Sequence, residues 1–368
     1  MQPKTLTELH EIIDVIDPIA YAKTRNQLSG AVTRLSPYIT RGVITLPDIR
    51  VRLLQKHSVK DCEKLIQELA WREYFQEVWW EKGDDMFSDL RFSRNDWQHS
   101  DLVTALVEAN TGVEVLDAGI AELYETGYMH NHVRMWVASV GCNLAKAHWY
   151  NLGRWLYYHL VDGDPASNFC SWQWVTGTSK SEPYKVNQKL INGCSDVKQV
   201  RSILNFDRDA MLEQPVPDEL KVNQSFDLKT IYPDSTLERS VAGEVVVLYT
   251  PWTIDPAYAA QTAGGSASRH ILVIDPAWFD RLPVSDRVMN FIIEQGKVVV
   301  DGLEVFVGDA TDIPGMSEAT AVHTRAHQTN RTWSDFATLD PVPRLFPEVS
   351  GYYKSFFAYW KAVEKSRH

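Results

Sequence analysis

Glu68, Trp71 and Arg72 are three chemically useful side chains that share one face of a predicted helix. They are separated by three and four residues, the spacing at which helical side chains are neighbours. An indole in this position could stack on a ligand or transfer an electron. A surface Glu–Arg pair beside a core tryptophan is the simpler interpretation of the segment taken alone.

A second helical segment places Asn131 and Met135 four residues apart, again on one face. His130 and His132 are only two apart and point to different sides of a helix, which argues against a metal-binding pair. Asn131 alone is also compatible with a buried, hydrogen-bonded residue of a helical core.

The loop Asp162-Gly163-Asp164-Pro165 predicts the start of a helix, with Asp164 as N-cap and Pro165 in the first turn. The positive end of that helix would face whatever lies opposite. An Asp-x-Asp pair can instead bind a divalent metal for sugar-nucleotide chemistry. The chain contains neither a Rossmann fingerprint nor a Walker loop to support that alternative.

Trp172 and Trp174 follow this loop and, being two apart, face different ways, so we expect one in the core and one lining a cleft. Ahead of another predicted helix, Thr33–Tyr38 combines hydroxyl groups with a guanidinium, an arrangement that suits phosphate oxygens. His323 and His327 have no acidic partner nearby in sequence, and we predict no metal site. Gly264-Gly265-Ser266 is predicted as a turn.

These residues would be positioned mainly by helices. Apolar residues at helical spacing predict an all-α domain over residues 1–204, and the clearest helical stretches are Asp61–Trp80, Thr111–Tyr124 and His130–Leu160. Prolines and polar residues over 205–240 predict a linker.

Residues 241–368 predict a small α/β domain that ends in a helix. Three short apolar runs, Glu244–Tyr249, His270–Asp275 and Leu303–Gly308, indicate strands of a parallel sheet. Ser285–Glu294 predicts an amphipathic helix with Ser285 or Asp286 near its N-cap. The aromatic tail Tyr352–Val363 predicts a helix that packs back onto one of the domains.

Composition limits the possible functions. The net charge of −11, of which residues 1–200 carry −4 (21 Lys and Arg against 25 Asp and Glu), excludes a wholly basic nucleic-acid-binding surface. No apolar run is long enough to span a membrane, and the N-terminus lacks a secretory pattern. The four cysteines have no CxxC spacing, so we expect reduced thiols and a cytoplasmic protein.

Together the helical segments resemble the FAD-binding domain of the photolyase and cryptochrome family, over about residues 21–195. The resembling motifs, in the family's order, are Thr33-Arg34-Leu35-Ser36-Pro37-Tyr38, Glu68-Leu-Ala-Trp71-Arg72-Glu73, Met129-His-Asn131-His-Val-Arg134-Met135, Asp162-Gly-Asp164-Pro-Ala-Ser-Asn168 and Trp172-Gln173-Trp174. This resemblance implies a mainly α fold, an all-helical FAD-binding domain followed here by the small α/β domain.

FAD is the cofactor that the resemblance implies. Arg34 and Ser36 would bind its diphosphate, and Asn168 would face flavin N5. Arg134 would pair with Asp162 beside the ring system, and Asp164 would contact the ring's polar edge or the adenine. The full cofactor-binding set implied by the resemblance is Tyr21, Thr33, Arg34, Leu35, Ser36, Arg72, Arg134, Asp162, Asp164 and Asn168.

The resemblance also implies a lesion pocket and a photoreduction chain. The pocket for a flipped-out pyrimidine dimer would comprise Glu68, Trp71, Asn131, Met135 and Trp174. Trp97, Trp149 and Trp172 match the family's row of electron-relaying tryptophans, Trp97 only after a one-residue shift. With Glu68 and Asn131, these three would carry the chemistry.

The activity implied is a deoxyribodipyrimidine photo-lyase, in which excited reduced FAD donates an electron to a cyclobutane pyrimidine dimer. A blue-light receptor of the cryptochrome type, with FAD and no repair, is the alternative. Because the helical half carries net negative charge, we expect single-stranded DNA as the substrate. The chain starts almost directly in the helical domain, so we expect no antenna pigment, although the C-terminal unit is similar to part of the family's antenna domain in reversed chain order.

Overall fold

The computed structural model describes residues 1–258 and 268–366 of the 368-residue chain. The predicted turn at Gly264-Gly265-Ser266 lies outside the described residues. No helix in the described ranges is long and apolar enough to cross a lipid bilayer. Within the same ranges, no group of three or more His, Cys, Asp or Glu side chains could hold a metal ion. The four cysteines are free thiols.

The first part of the chain is helical, as the sequence predicts. Several of its helices begin where a short polar side chain accepts hydrogen bonds from first-turn N–H groups, such as Ser58 before the longest helix. Asp164 caps the helix that starts at Pro165, as expected from the loop sequence. The helices are α1 (Leu6–Asp14), α2 (Pro18–Thr24), α3 (Ser36–Thr40), α4 (Leu46–Lys56), α5 (Val59–Lys82), α6 (Thr104–Val107), α7 (Glu114–Thr126), α8 (Asn131–Ala138), α9 (Trp149–His159), α10 (Pro165–Thr176) and α11 (Gln188–Cys194).

The stretch from His130 to Leu160 is more broken than the sequence suggests. After α8 the chain forms a π-helix over Ser139–Leu144 and leaves helical geometry at Lys146, whose φ is 61°. The Lys146 ammonium group is largely buried and donates to the carbonyl oxygens of Asn143 and Leu212, at 3.0 and 2.9 Å. These tertiary hydrogen bonds stabilise the break, and local sequence does not signal it.

The second part contains a five-stranded parallel sheet. The three predicted strands are confirmed, and two further strands extend the sheet. A short antiparallel pair lies outside this sheet and is formed by β1 (Leu102–Val103) and β2 (Asn223–Gln224). The strands of the parallel sheet are β3 (Val245–Tyr249), β4 (Ser268–Ile274), β5 (Glu304–Val307), β6 (Ala321–Arg325) and β7 (Thr338–Asp340). Their spatial order is β5-β4-β3-β6-β7. The later helices are α12 (Pro276–Arg281), α13 (Asp286–Val299, with Ser285 as N-cap) and α14 (Phe356–Ser366).

One continuous apolar core joins the helices to the sheet. Alternate residues of β3 divide between two clusters: Val247 and Tyr249 pack into the core shared with the helices, whereas Val246 and Leu248 face a smaller cluster on the other side. The fully buried Arg41 guanidinium adds a polar connection, because it donates to the carbonyl oxygens of Val161 (2.8 Å) and Pro251 (3.2 Å). The α/β part therefore holds the α9–α10 loop in place.

Candidate functional site

Asp162 is the centre of a buried charged network between α3, α8 and α10. Its Oδ2 accepts hydrogen bonds from Ser36 Oγ at 2.6 Å and Arg134 Nη2 at 2.9 Å. Burial opposes ionisation, but the Arg134 charge and the hydrogen bonds from Arg134 and Ser36 outweigh it, so the pKa of Asp162 lies below its usual value. Asp162 Oδ1 is buried and has no protein partner in the described residues, so one acceptor remains for another molecule.

Asp164 connects the same network to α5. Its Oδ1 accepts from Gln76 Nε2 at 2.8 Å, and its Oδ2 caps α10 and lies 3.8 Å from Arg72 Nη1. Arg72 Nη1 also donates to Thr40 Oγ1 at 2.7 Å. The N-terminal end of α10 thus meets a guanidinium in a water-poor site, which favours an anionic or electron-rich ligand.

The predicted phosphate loop carries a strained arginine. Arg34 adopts a left-handed φ of 52°, a conformation that is uncommon for a residue with a side chain. Its guanidinium lies 5.0 Å from the centre of the Tyr128 ring, and that of Arg134 lies 5.6 Å from it. The loop is tightened at Thr33, whose Oγ1 accepts from the N–H of the buried Leu35. Two cations and a hydroxyl-bearing loop are thereby brought together, a suitable arrangement for phosphate oxygens.

On the outer side of α5, Glu68 is held by ion pairs rather than by burial. Its Oε1 lies 3.1 Å from Lys64 Nζ and 3.5 Å from Arg25 Nε. The pKa of the nearby His132 is lowered by burial and by Arg25, and the Glu68 charge opposes that shift. Burial and the Glu68 charge raise the pKa of Tyr21, so its hydroxyl stays protonated.

Asn131 and Met135 share one face of α8, as predicted. Asn131 is exposed, and its Nδ2 lies 3.9 Å from Met135 Sδ. The interpretation of Asn131 as a buried core residue is therefore wrong. Its amide is available to a ligand approaching α8 from solvent.

Trp71 and Trp174 are both partly exposed, whereas Trp172 is buried, in line with the expectation that the two neighbouring tryptophans face different ways. The Trp71 ring stacks on Phe356 with a centroid distance of 3.7 Å and an interplanar angle of 10°. Trp174 contacts Tyr184 at 5.8 Å, and the Lys180 ammonium lies 3.5 Å from its ring centre. Both indoles have aromatic neighbours, and Trp174 also has a cationic one.

Most of the helical part of the chain is similar to known proteins. Residues 65–209 match the family model described as the FAD binding domain of DNA photolyase. The matched residues run from within α5 to beyond the end of α11. The chain is 32% identical over 176 residues to a deoxyribodipyrimidine photo-lyase of Streptomyces griseus, a match that covers 47% of this chain and 38% of the relative.

Two further relatives match similar shares of the chain. A deoxyribodipyrimidine photo-lyase of Agrobacterium fabrum is 34% identical over 158 residues, covering 40% of this chain and 32% of the relative. A cryptochrome DASH of Gloeobacter violaceus is 31% identical over 170 residues, covering 43% and 33%. The chain therefore spans less than two fifths of the length of each of these relatives. Among solved structures, a class III photolyase from Agrobacterium tumefaciens matches with a TM-score of 0.42 and 23% identity, over 51% of this chain and 43% of that one.

The side chains of this helical part fit FAD. Arg34, Arg72 and Arg134 supply positive charge for a diphosphate, and the unpaired Oδ1 of Asp162 can accept a hydrogen bond from a ring N–H. Asn168 Nδ2 donates to the Gly153 carbonyl at 3.0 Å, which orients the amide oxygen away from that carbonyl. FAD supplies redox and light-absorbing chemistry to the family, and these residues would hold it.

The three tryptophans predicted as a relay lie at different depths in the helical part of the chain. Trp172 and Trp149 are buried, and Trp97 is half-buried. His148 contacts both Trp149 and Trp97. Its ring centre is 5.5 Å from that of Trp149 and 5.4 Å from that of Trp97. Trp149 Nε1 donates to Asp89 at 2.9 Å, which fixes the middle indole.

Several residues around the site escaped the sequence interpretation. Lys64 precedes Glu68 by four residues and Gln76 follows Arg72 by four, so helical spacing could have identified both. Arg25, Tyr128 and Phe356 carry no local signal, because they reach the site through tertiary packing.

Proposed function

We propose that this chain repairs cyclobutane pyrimidine dimers in single-stranded DNA, using light and reduced FAD. Two groups of residues serve this function. The cofactor side consists of Arg34, Ser36, Arg72, Arg134, Asp162, Asp164 and Asn168. The pocket side consists of Glu68, Trp71, Asn131, Met135 and Trp174.

The observation that carries the proposal is that α5, α8 and α10 each bear members of both groups, and that α5 and α8 both pack against α10. On α5, Glu68 and Trp71 lie beside Arg72, and on α8 Met135 follows Arg134. The third helix, α10, packs against both of the others and runs from its cap at Asp164 to Trp174. A ligand of the pocket side would therefore lie close to a cofactor bound on the other side.

The residue types of the pocket side suit a dimer lifted out of the base stack. Indole faces replace the lost stacking partners, and Met135 offers a soft apolar contact. Glu68 and the exposed Asn131 amide can hydrogen-bond the polar edges of pyrimidines. Reduced FAD, when excited, would supply the electron that splits the cyclobutane ring and take it back afterwards.

Charge supports a single-stranded substrate. The chain carries a net charge of −11, and duplex binding depends on neutralising many phosphates. Flipping a base is cheapest where the DNA is already unpaired. The four free cysteines fit a reducing compartment, and we place the activity in the cytoplasm.

A blue-light receptor without repair activity is the second candidate. The acidic surface and the similarity to a protein named cryptochrome DASH favour it. Such a receptor would need the cofactor side and the relay tryptophans Trp97, Trp149 and Trp172. The pocket side would then bind no lesion.

The test is to illuminate reduced, FAD-loaded protein with dimer-containing oligo-dT, single-stranded and in duplex. Repair predicts recovery of thymine absorbance in the light only, faster on the single strand. Asn131→Ala should slow recovery while the bound flavin stays constant. If flavin is bound and no thymine is recovered on either substrate, the receptor function is favoured over repair.

A further inference from the structure

The C-terminal helix α14 packs on the α5 face beside Trp71. Phe356, its first residue, is 2% exposed and stacks face to face on the Trp71 indole at 3.7 Å. The two residues are 285 positions apart, so a tertiary contact from the end of the chain reaches a wall of the proposed pocket.

Buried hydrogen bonds fix α14 in this place. Glu73, on α5, accepts from the Tyr359 hydroxyl at 2.7 Å and from the N–H groups of Leu345 at 2.5 Å and Phe346 at 3.2 Å. Burial and the Glu73 charge raise the pKa of Tyr359, so this hydroxyl remains a donor. Tyr359 belongs to α14 and the other two donors to the segment before it, so the one buried carboxylate fixes both the helix and that segment.

The ring of Phe356 covers one particular side of Trp71. On α5 at 3.6 residues per turn, Glu68 and Tyr74 lie about 60° to opposite sides of Trp71. Phe356 is on the Tyr74 side, because its ring centre is 5.9 Å from that of Tyr74. Phe75 also contacts the indole, with ring centres 5.4 Å apart, but Trp71 stays partly exposed, so part of the ring remains open to a ligand.

We propose that Phe356 is a positioning residue that holds the Trp71 indole ready to stack on the lesion; this role depends on the function proposed above. An indole without a rigid neighbour would lose rotamer freedom when the lesion binds, and that loss weakens affinity. The stacked phenyl ring removes the freedom beforehand. Phe356 thus tunes lesion affinity through Trp71 and touches neither FAD nor DNA.

The experiment measures dark affinity for dimer-containing oligo-dT, the repair rate at saturating substrate and flavin content. We expect Phe356→Ala to weaken affinity about three- to tenfold, with the saturated rate and flavin content unchanged. Phe356→Leu keeps apolar volume without the ring, which protects the fold, and should weaken affinity by a similar factor. Phe356→Tyr keeps the ring and should bind with wild-type affinity. Phe357→Ala is the matched control, because Phe357 is 71% exposed and meets Trp71 only edge-on at 6.4 Å.

A double-mutant cycle distinguishes positioning from a general structural effect. In a Trp71→Ala background, Phe356→Leu should cause no further loss of affinity. An equal loss in both backgrounds, or tighter binding by Phe356→Leu because the ring occupies the lesion's place, would overturn the proposal. If the wild type itself bound no dimer DNA, the proposed function would fail; a wild type that binds, with variants identical to it, would refute only the role of Phe356.

Discussion

The cofactor side and the pocket side share α5, α8 and α10 but are held in place differently. The carboxylates of the cofactor side, Asp162 and Asp164, have side chains only 3% and 2% exposed and are fixed by several hydrogen bonds. The pocket carboxylate, Glu68, is 33% exposed and held by two ion pairs at the surface. The cofactor-side carboxylates are thus part of the folded core, whereas Glu68 can exchange its partners for a ligand at low cost.

The largest effect that would test this difference is on stability. Asp162→Asn leaves the Arg134 charge without its buried partner, and we expect a loss of about 2–4 kcal/mol in the free energy of unfolding together with loss of bound flavin. Urea unfolding and flavin absorbance of the purified protein measure both. Glu122→Gln, which removes the long, exposed ion pair with Arg34, is the control and should change stability by less than about 0.5 kcal/mol. Equal stability and flavin content of the Asp162 variant and wild type would contradict the account.

On the pocket side the main effect should be on affinity. Trp71→Ala removes a stacking surface worth about 1–3 kcal/mol per base, so lesion affinity should fall roughly ten- to hundredfold with flavin retained. Titration with dimer-containing oligo-dT checks this. Trp80→Ala, on the same helix and 44% exposed, should bind like wild type. Undiminished affinity of the Trp71 variant would remove that indole from the pocket.

A smaller effect concerns pH. The pKa of His130 is lowered from its ordinary value of 6.5 to about 4. Burial is the main cause, and the charges of His132, Arg134 and Arg34 add to it. The unfolded chain therefore binds a proton that the folded chain does not, and stability falls as pH drops from 6.5 towards 4. His130→Asn can still cap α8 and should remove of the order of 1 kcal/mol of this pH dependence. Parallel stability–pH curves for the two proteins would show that His130 is not the group responsible.

The smallest expected effect is on salt dependence. The Lys180 ammonium group lies on the ring of Trp174, a member of the proposed pocket side, and we expect it to contact a DNA phosphate there. Lys180→Gln should reduce the slope of log affinity against log salt by about 0.7 on single-stranded DNA, with a change of a few-fold at low salt. Binding titrations at several salt concentrations measure the slope, with Lys189→Gln as a comparison. An unchanged slope would place Lys180 outside the DNA path.

Local sequence rules predicted the parts of the molecule that depend on local geometry. The face shared by Glu68 and Arg72 and the cap formed by Asp164 and Pro165 follow from helix spacing and first-turn chemistry. The three apolar strands followed from their composition.

Features that depend on distant contacts could not be predicted. Strands β6 and β7 were missed because Ala321–Arg325 mixes apolar and polar residues and Thr338–Asp340 is only three residues long. The break at Lys146 depends on a hydrogen bond to a carbonyl 66 residues away. The stack of Phe356 on Trp71 depends on packing between residues far apart in the chain. Neither contact leaves a periodic trace in the sequence.

The most direct test of the account separates the two sides with one substitution. Glu68→Gln should retain the flavin absorbance of the wild type, because Glu68 has no part in the cofactor-side network. The same protein should recover thymine from illuminated dimer-containing oligo-dT much more slowly than wild type. Undiminished recovery, or loss of flavin together with repair, would contradict the division between a cofactor side and a pocket side.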